Sequence, residues 1–410
     1  MNTPMCRLRP LRINLGFISV LLSSSCLFFP VHLSADPEKG LLEALDAIQS
    51  SNIGKAERVL KTVISDEPEF KLAHMVYADI LKARATPLSH AGMGLHNEKQ
   101  LDDLLDEVRL RYNASQELIN DDGKIPAVLS QLDNQHEHAI VVDLKQSRLY
   151  LFENNNGTPK RIEDYYVSIG RGGSEKKKEG DLKTPHGVYF IQSFIPPGKL
   201  SDKYGAGAYP INYPNELDTF NGLTGSGIWL HGTRSGTYNR APLASEGCVV
   251  LSNDNLIEIG SYITLRKTPV IIGSNIEWLS PDQWIKTAKH ASTIFNQWVE
   301  SWESMDVDDY LSHYSKDFNN GKNSFSRWAK HKRKITKNKK YVQVNATNVS
   351  HLQHPNKDVM VTTFHQNYIS NNYSSQSWKR QYWKKEGDGK WRIIYENAIE
   401  RPASTRLAKR

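Results

Sequence analysis

The sequence predicts a multidomain α+β chain: a helical N-terminal region, a mostly β central domain and a C-terminal α+β unit. Three observations carry that reading. The chain has 410 residues, more than one ordinary hydrophobic core accommodates. Apolar residues recur at helical spacing from Glu38 to about Leu132, and at Ala139 the pattern changes to short β-prone runs. From about Ile276 an aromatic-rich helical stretch precedes a second set of strands. The expected segments are 1–35, 36–134, 137–270, 276–400 and a tail, 401–410.

Residues 1–35 read as a signal peptide. Arg7, Arg9 and Arg12 form a charged start, residues 13–33 are mostly apolar, and Ser34-Ala35 offers a small-residue cleavage site. Ser23-Ser24-Ser25 and Pro30 interrupt the apolar run, which argues against a retained membrane span. The same serines before Cys26 are a weak version of a lipoprotein signal, so anchoring at Cys26 is the lesser alternative. The expected location is the periplasm, without a stable span after cleavage. The formal charge of +7 falls to +4 once the three arginines of residues 1–35 are removed, which is not the balance of a nucleic-acid binder. The basic excess collects between Lys330 and Lys340, as a solvated face or as a surface for a polyanion.

In the helical region Leu41, Leu42, Leu45 and Ile48 share a helical stripe, as do Val59, Leu60, Val63 and Ile64. Gly54, Ala56, Pro68 and Ala73 punctuate a helix–turn–helix of about 34 residues that resembles one tetratricopeptide repeat. A single unit cannot bury its own face, so it packs on neighbouring helices or on a protein partner. The central domain places strands at 140–144 and 148–152 around a turn, then at 165–169, 187–194, 227–230, 248–251 and 262–265. In the C-terminal unit Pro281 opens a helix to about Ser304, a shorter helix spans 306–314, and strands occupy 341–344, 359–368, 377–385 and 390–395. Gly387-Asp388-Gly389 turns the last hairpin.

One cysteine stands out. Cys6 and Cys26 lie in the segment expected to be removed, which leaves Cys248 without a disulfide partner in an oxidising compartment. Its setting is Ser245-Glu246-Gly247-Cys248-Val249-Val250-Leu251, and His231 precedes it by seventeen positions in Leu230-His231-Gly232-Thr233. A thiol needs a neighbouring imidazole to become an efficient nucleophile, either as an ion pair or through a general base. The two residues are too far apart for one helix face, so they meet only if two strand ends are brought together. Gly247 permits a tight turn before the sulfur, and the amides of Gly247 and Cys248 are candidates for an oxyanion hole. With no Asp in the motif, the carbonyl near Gly232 is the candidate to orient the imidazole. The bland reading makes Cys248 a small buried hydrophobe beside Val249.

His231-Gly232-Thr233 followed by Ser245-x-Gly247-Cys248-Val249-x-Leu251 closely resembles the L,D-transpeptidase (YkuD-type) signature. Gly180-Asp181-Leu182-Lys183-Thr184-Pro185-His186-Gly187 looks like that family's Gly…Thr-Pro-x-Gly element, and 139–152 like its opening strand pair. The likeness covers about Glu137 to Lys267. The tail from about Ile285 to Glu400 looks like a nuclear-transport-factor-two-like (SnoaL-type) cone, a fold that dimerises readily, which predicts a homodimer. The resemblance implies peptide stems of peptidoglycan as substrate, no cofactor and no metal. Cys248 would attack the carbonyl of the third stem residue and release D-alanine, with His231 as base and then acid. An amine acceptor completes L,D-transpeptidation; water trims the stem, as in L,D-carboxypeptidases tied to cell shape, or releases wall-bound lipoprotein. Glu246 and Val250 depart from the commonest motif, where His and Arg or Asn stand, so both bear on acceptor choice. A wall-binding scaffold without catalysis is the reading from another class.

Four further residues are candidate substrate contacts: Arg234 as a carboxylate clamp, Ser245 beside the nucleophile, Tyr213 in the loop before the site strands, and His186. His136-Glu137-His138 puts two imidazoles on one strand face but lacks a third metal ligand nearby. The tryptophans of the tail, among them Trp298, Trp302, Trp378, Trp383 and Trp391, are read as core.

Overall fold

A computed structural model describes residues 36–95, 97–119 and 123–400. The signal segment, Cys6, Cys26 and the 401–410 tail lie outside them. No helix among the described residues is long and apolar enough to cross a membrane.

Four helices, Pro37–Gln49, Ile53–Asp66, Lys71–Ala83 and Glu98–Ile119, form the N-terminal region. Asp36 and Asn52 cap the first two through their side chains. Leu41, Ala44, Leu60, Phe70 and Leu72 are fully buried between them, so the helical stripes close on one another. The expected helical pattern to Leu132 stops short. Gly123 and Pro126 break it, and the following segment is an extended strap. Ile125–Pro126 pairs with Trp278–Leu279, Gln131 bridges to His351, and Trp284 Nε1 donates to the Leu129 carbonyl at 2.7 Å. The strap thereby ties the helical region to the C-terminal unit.

The central domain is built on a five-stranded sheet in the order 158–166, 148–155, 138–143, 269–273 and 187–190. Strands 138–143 and 269–273 run parallel; the other neighbours are antiparallel. Every residue of His138–Asp143 is buried, which explains the unbroken apolar run there: both faces of the sheet are covered. One face (Ile140, Val142, Val270, Ile272) packs on Leu230, Val249 and Leu251 of a smaller three-stranded sheet. The other face (Val141, Phe152, Ile271) packs on Val359, Val361, Tyr382 and Ile394 of the C-terminal sheet. The strand expected at 262–265 is instead a turn that follows a helix, Asn253–Gly260, capped by Ser252. The β-branched run one turn later, Pro269–Gly273, takes the strand position.

The C-terminal unit is a four-stranded antiparallel meander, 342–353, 359–370, 373–385 and 391–399, crossed by helix Pro281–Glu303. Ser280 and Gln283 make a capping box at that helix's start. Trp298 and Trp383 are fully buried in its core. Much of the basic cluster lies on a further helix, Phe325–Thr336, and Lys332 on it is buried, contrary to a purely solvated face.

A buried ion network joins the helical region to the central sheet. Glu38 accepts from Arg111 at 2.9 Å and pairs with Arg148, which also pairs with Asp164. Burial alone would raise the Glu38 carboxyl, but the two guanidiniums hold it down at about 2. Its stabilising contribution is therefore complete above the ordinary glutamate range and is lost as pH falls toward 2. Glu38→Ala leaves Arg111 with Glu107 and Arg148 with Asp164 but removes the buried carboxylate that both share, and is expected to cost about 3 kcal/mol. The check is denaturant unfolding, with limited proteolysis reporting early release of the helices.

Candidate active site

The site rests on a short parallel pairing. Trp229–His231 runs beside Val249–Val250, with Val249 opposite Leu230 and Val250 opposite His231. Leu230 and Val249 point into the core and are fully buried. Cys248 stands immediately before Val249 at the start of this pairing, and His231 ends the neighbouring strand, so the fold brings the two segments together. The seventeen-residue gap is thus closed by strand pairing.

His231 is buried, and its Nδ1 lies 2.7 Å from the Gly232 carbonyl. A carbonyl only accepts, so Nδ1 carries the proton and Nε2 keeps its lone pair. Tyr204 stands edge-on to the imidazole, with ring centres 5.0 Å apart. Gly232 leaves no room for a side chain: a Cβ there would sit 2.2 Å from Asn253 Oδ1. That oxygen accepts from the amides of Ala206 and Thr233 at 2.9 and 3.1 Å, tying the loop before the site to the strand end.

Cys248 is half-buried, and its thiol donates to the Gly227 carbonyl at 3.4 Å. The turn before it is held by Ser245, whose Oγ accepts from the Gly247 amide at 3.1 Å and donates to the Cys248 carbonyl at 2.6 Å. Gly247 sits at φ +119°, and a Cβ there would lie 2.7 Å from the Lys183 carbonyl oxygen. These bonds revise two expectations. The Gly247 amide is occupied by Ser245 and is not available as an oxyanion donor. The Cys248 amide makes no backbone hydrogen bond to a described residue and is the remaining candidate. Ser245 itself is 1% exposed, so it shapes the turn and does not face substrate.

Electrostatics favour a neutral resting pair. Burial pushes the His231 pKa down to about 4. Burial also raises the Cys248 thiol, against the lowering influence of the Trp229 amide, Arg240 and Lys203. Both shifts run against a thiolate–imidazolium pair. In the neutral imidazole the Nε2 lone pair is left to accept a proton.

The other candidates scatter. Arg234 is exposed, with Nε 4.0 Å from Asp202 at the surface. The half-buried Arg240, six residues later, acts on both the thiol and His231. It went unselected because nothing in its spacing distinguishes it from other loop arginines; its position between His231 and Cys248 was the usable signal. Glu246 is exposed and 3.7 Å from Arg171. Tyr213 is core, with its hydroxyl donating to the Thr224 carbonyl at 3.0 Å. His186 bonds Ser274 at 2.9 Å, at the end of strand 269–273. His136 is held by the Lys267 carbonyl at 2.8 Å. Sequence reading also missed Tyr204 and Asn253.

Residues 137–272 match the L,D-transpeptidase catalytic domain model, YkuD. Residues 291–397 match the Cds6 C-terminal NTF2-like domain. A comparison with curated proteins finds no match. Bd1075 of Bdellovibrio bacteriovorus is 29% identical with a TM-score of 0.60, covering 67% of this chain and 99% of that one. The helical cell shape determining protein Pgp2 of Campylobacter jejuni is 25% identical with a TM-score of 0.56, covering 66% and 95%.

A neutral pair makes a distinctive prediction. The rate of Cys248 alkylation by iodoacetamide should rise about tenfold per pH unit between pH 6 and 8, following the thiolate fraction. A pH-independent plateau over that range would reveal an ion pair instead.

Proposed function

Taking a chain that carries an L,D-transpeptidase catalytic domain and an NTF2-like domain, we propose an exported enzyme that acts on peptidoglycan stem peptides through a thioester on Cys248. The observation that carries this reading is the parallel pairing that sets the segment after Cys248 beside His231, with the imidazole's tautomer set by the Gly232 carbonyl. As substrate enters, His231 Nε2 takes the thiol proton and Sγ attacks the stem carbonyl carbon. The Cys248 amide stabilises the oxyanion. The imidazolium then gives its proton to the leaving amine, D-alanine, as the carbon–nitrogen bond breaks. An acceptor amine, deprotonated by His231, attacks the thioester and frees the thiol, completing transpeptidation.

Hydrolysis of the same thioester is the second reading, and two observations favour it. Glu246 places an exposed carboxylate two residues before the nucleophile. A cell shape determining protein is similar over 66% of this chain and 95% of its own. In either case the role is remodelling of the wall, with consequences for cell shape.

The deciding experiment incubates purified protein with disaccharide tetrapeptides, with and without an acceptor stem, and reads products by mass. Cross-linked product supports transpeptidation and tripeptide supports hydrolysis. Unchanged tetrapeptide with a reduced, alkylatable Cys248 refutes both. Cys248→Ala should abolish turnover. Arg240→Ala should lower kcat/KM ~10-fold by removing a charge-assisted contact, whereas Arg234→Ala should leave it within about twofold, as expected for an exposed rim charge.

A further inference from the structure

Basic charge is segregated in the C-terminal unit. Between Asp317 and Glu386 there is one acid, Asp358, against fourteen lysines and arginines. The helix Phe325–Thr336 sorts these cations by face. Lys332 turns inward to line a cavity of about 540 Å³ with Trp302, Tyr310 and Gln366. Lys330, Lys334 and Lys337 follow one another at helical spacing and are exposed, as is Lys340 beyond the helix. Of the cations from Lys330 to Lys340, only Arg333 has an acidic partner among the described residues, Asp308 at 2.7 Å. A row of lysines is ordinarily no more than a solvated face. Here it ends against exposed apolar groups. Lys339 Nζ donates to Ser370 Oγ at 2.8 Å, and the Lys340 amide donates to Asn371 Oδ1 at 2.8 Å. The end of the row is thereby tied to the turn between strands 359–370 and 373–385. Around that turn stand Tyr341, Ile369 and Tyr373, which are 46%, 38% and 60% exposed. Strand pairing keeps them together: Gln343 is opposite Ile369, and Ser370 is opposite Tyr373. Ile369 lies about 27 Å along its strand from Val361, where the sheet packs on the central domain, so the turn is at the end of the sheet away from that contact.

We propose that this outer corner docks on an anionic lipid surface. The lysine ammoniums meet the phosphate groups, while the tyrosine rings and Ile369 sit at headgroup level, where a ring with one polar tip is well accommodated. Other occupants fit less well. A second copy of this chain would bring the same positive charge to the contact. A soluble polyanion would be held by the lysines alone and would leave three exposed apolar side chains without a role. The contact is peripheral, uses neither Cys248 nor the inward-facing Lys332, and stands whether or not the catalytic reading does.

Binding is measured by flotation of the chain Asp36–Arg410, which forms one compact unit without the apolar leader. The probes are vesicles of phosphatidylcholine alone and of phosphatidylcholine mixed equally with phosphatidylglycerol. The mixed vesicles should bind at least about tenfold more tightly, and that binding should weaken about tenfold between roughly 50 and 500 mM salt. Lys330→Ser, Lys334→Ser and Lys337→Ser together should weaken it about tenfold. Tyr341→Thr, Ile369→Thr and Tyr373→Thr together keep every charge and should still weaken it about fivefold. All six positions are exposed, so Tm should be preserved, and either variant carries the test should the other fail to fold. The proposal is overturned if the mixed vesicles bind no better than the neutral ones, or if the lysine variant binds like the parent. It is also overturned if the Thr variant binds like the parent, an outcome that would assign the face to a soluble polyanion.

Discussion

The chemistry depends on the pairing of two very short strands. Leu230 and Val249 are fully buried side by side in the central core, and a one-residue slip would expose both. Such a slip would also shift His231 relative to Cys248. The hydrophobic effect thus sets the register, and the register sets the catalytic geometry. Ser245 and Gly247 refine it by fixing the turn, one through two hydrogen bonds and the other through a φ that no residue with a Cβ accepts easily. The same burial disfavours the charged forms of both thiol and imidazole. Charge separation then has to be supported at the moment of attack by groups already in place: the Trp229 amide, Arg240 and Lys203.

Those groups are positioned from the N-terminal helices. Tyr238, in the loop between His231 and Cys248, is buried in the helical core against Phe70, with ring centres 4.4 Å apart. Arg111 stacks on Tyr166 at 3.8 Å, and the Tyr166 hydroxyl donates to the Arg240 carbonyl at 3.0 Å. The Arg240 guanidinium in turn donates to the Lys203 carbonyl at 2.8 Å, next to the Tyr204 that covers His231. The helices are therefore packed against the loop that carries Tyr238 and Arg240, and the Glu38 network fastens them there.

Much of this was legible in the sequence, for stated reasons. Glycine, histidine and cysteine at fixed spacing report backbone and chemical needs that few alternatives satisfy, so Cys248, His231 and Gly247 could be selected at once. The continuous run Ile140-Val141-Val142 likewise announced a sheet covered on both faces. What periodicity could not report was partnership. Ser245 and Tyr213 have the polar tips of substrate contacts, yet each spends its hydroxyl on a neighbouring backbone carbonyl. Arg234 and Arg240 are indistinguishable as letters; only the fold leaves one at the surface and seats the other, half-buried, on the Lys203 carbonyl. The strand at 269–273 was displaced in the reading to 262–265 because Tyr262 and Ile263 are as β-prone as the residues that pair. Ile263 is buried as well, but at the end of a helix.

The C-terminal sheet separates two functions by the alternation of its side chains. Val359, Val361, Tyr382 and Ile394 face the catalytic sheet, while Met360, Phe364, Trp383 and Ile393 face the opposite way, under helix Pro281–Glu303. Gln366 follows Phe364 by two residues and so opens on the second face, where the cavity lies. A molecule in that cavity is thus divided from Cys248 by the C-terminal sheet and by the central sheet behind it. Whatever it contributes must pass through that packed layer, for instance through the Tyr382 hydroxyl, which donates to Glu216 of the central domain at 2.7 Å. A closely packed interface of this kind transmits displacement poorly unless it has two discrete arrangements.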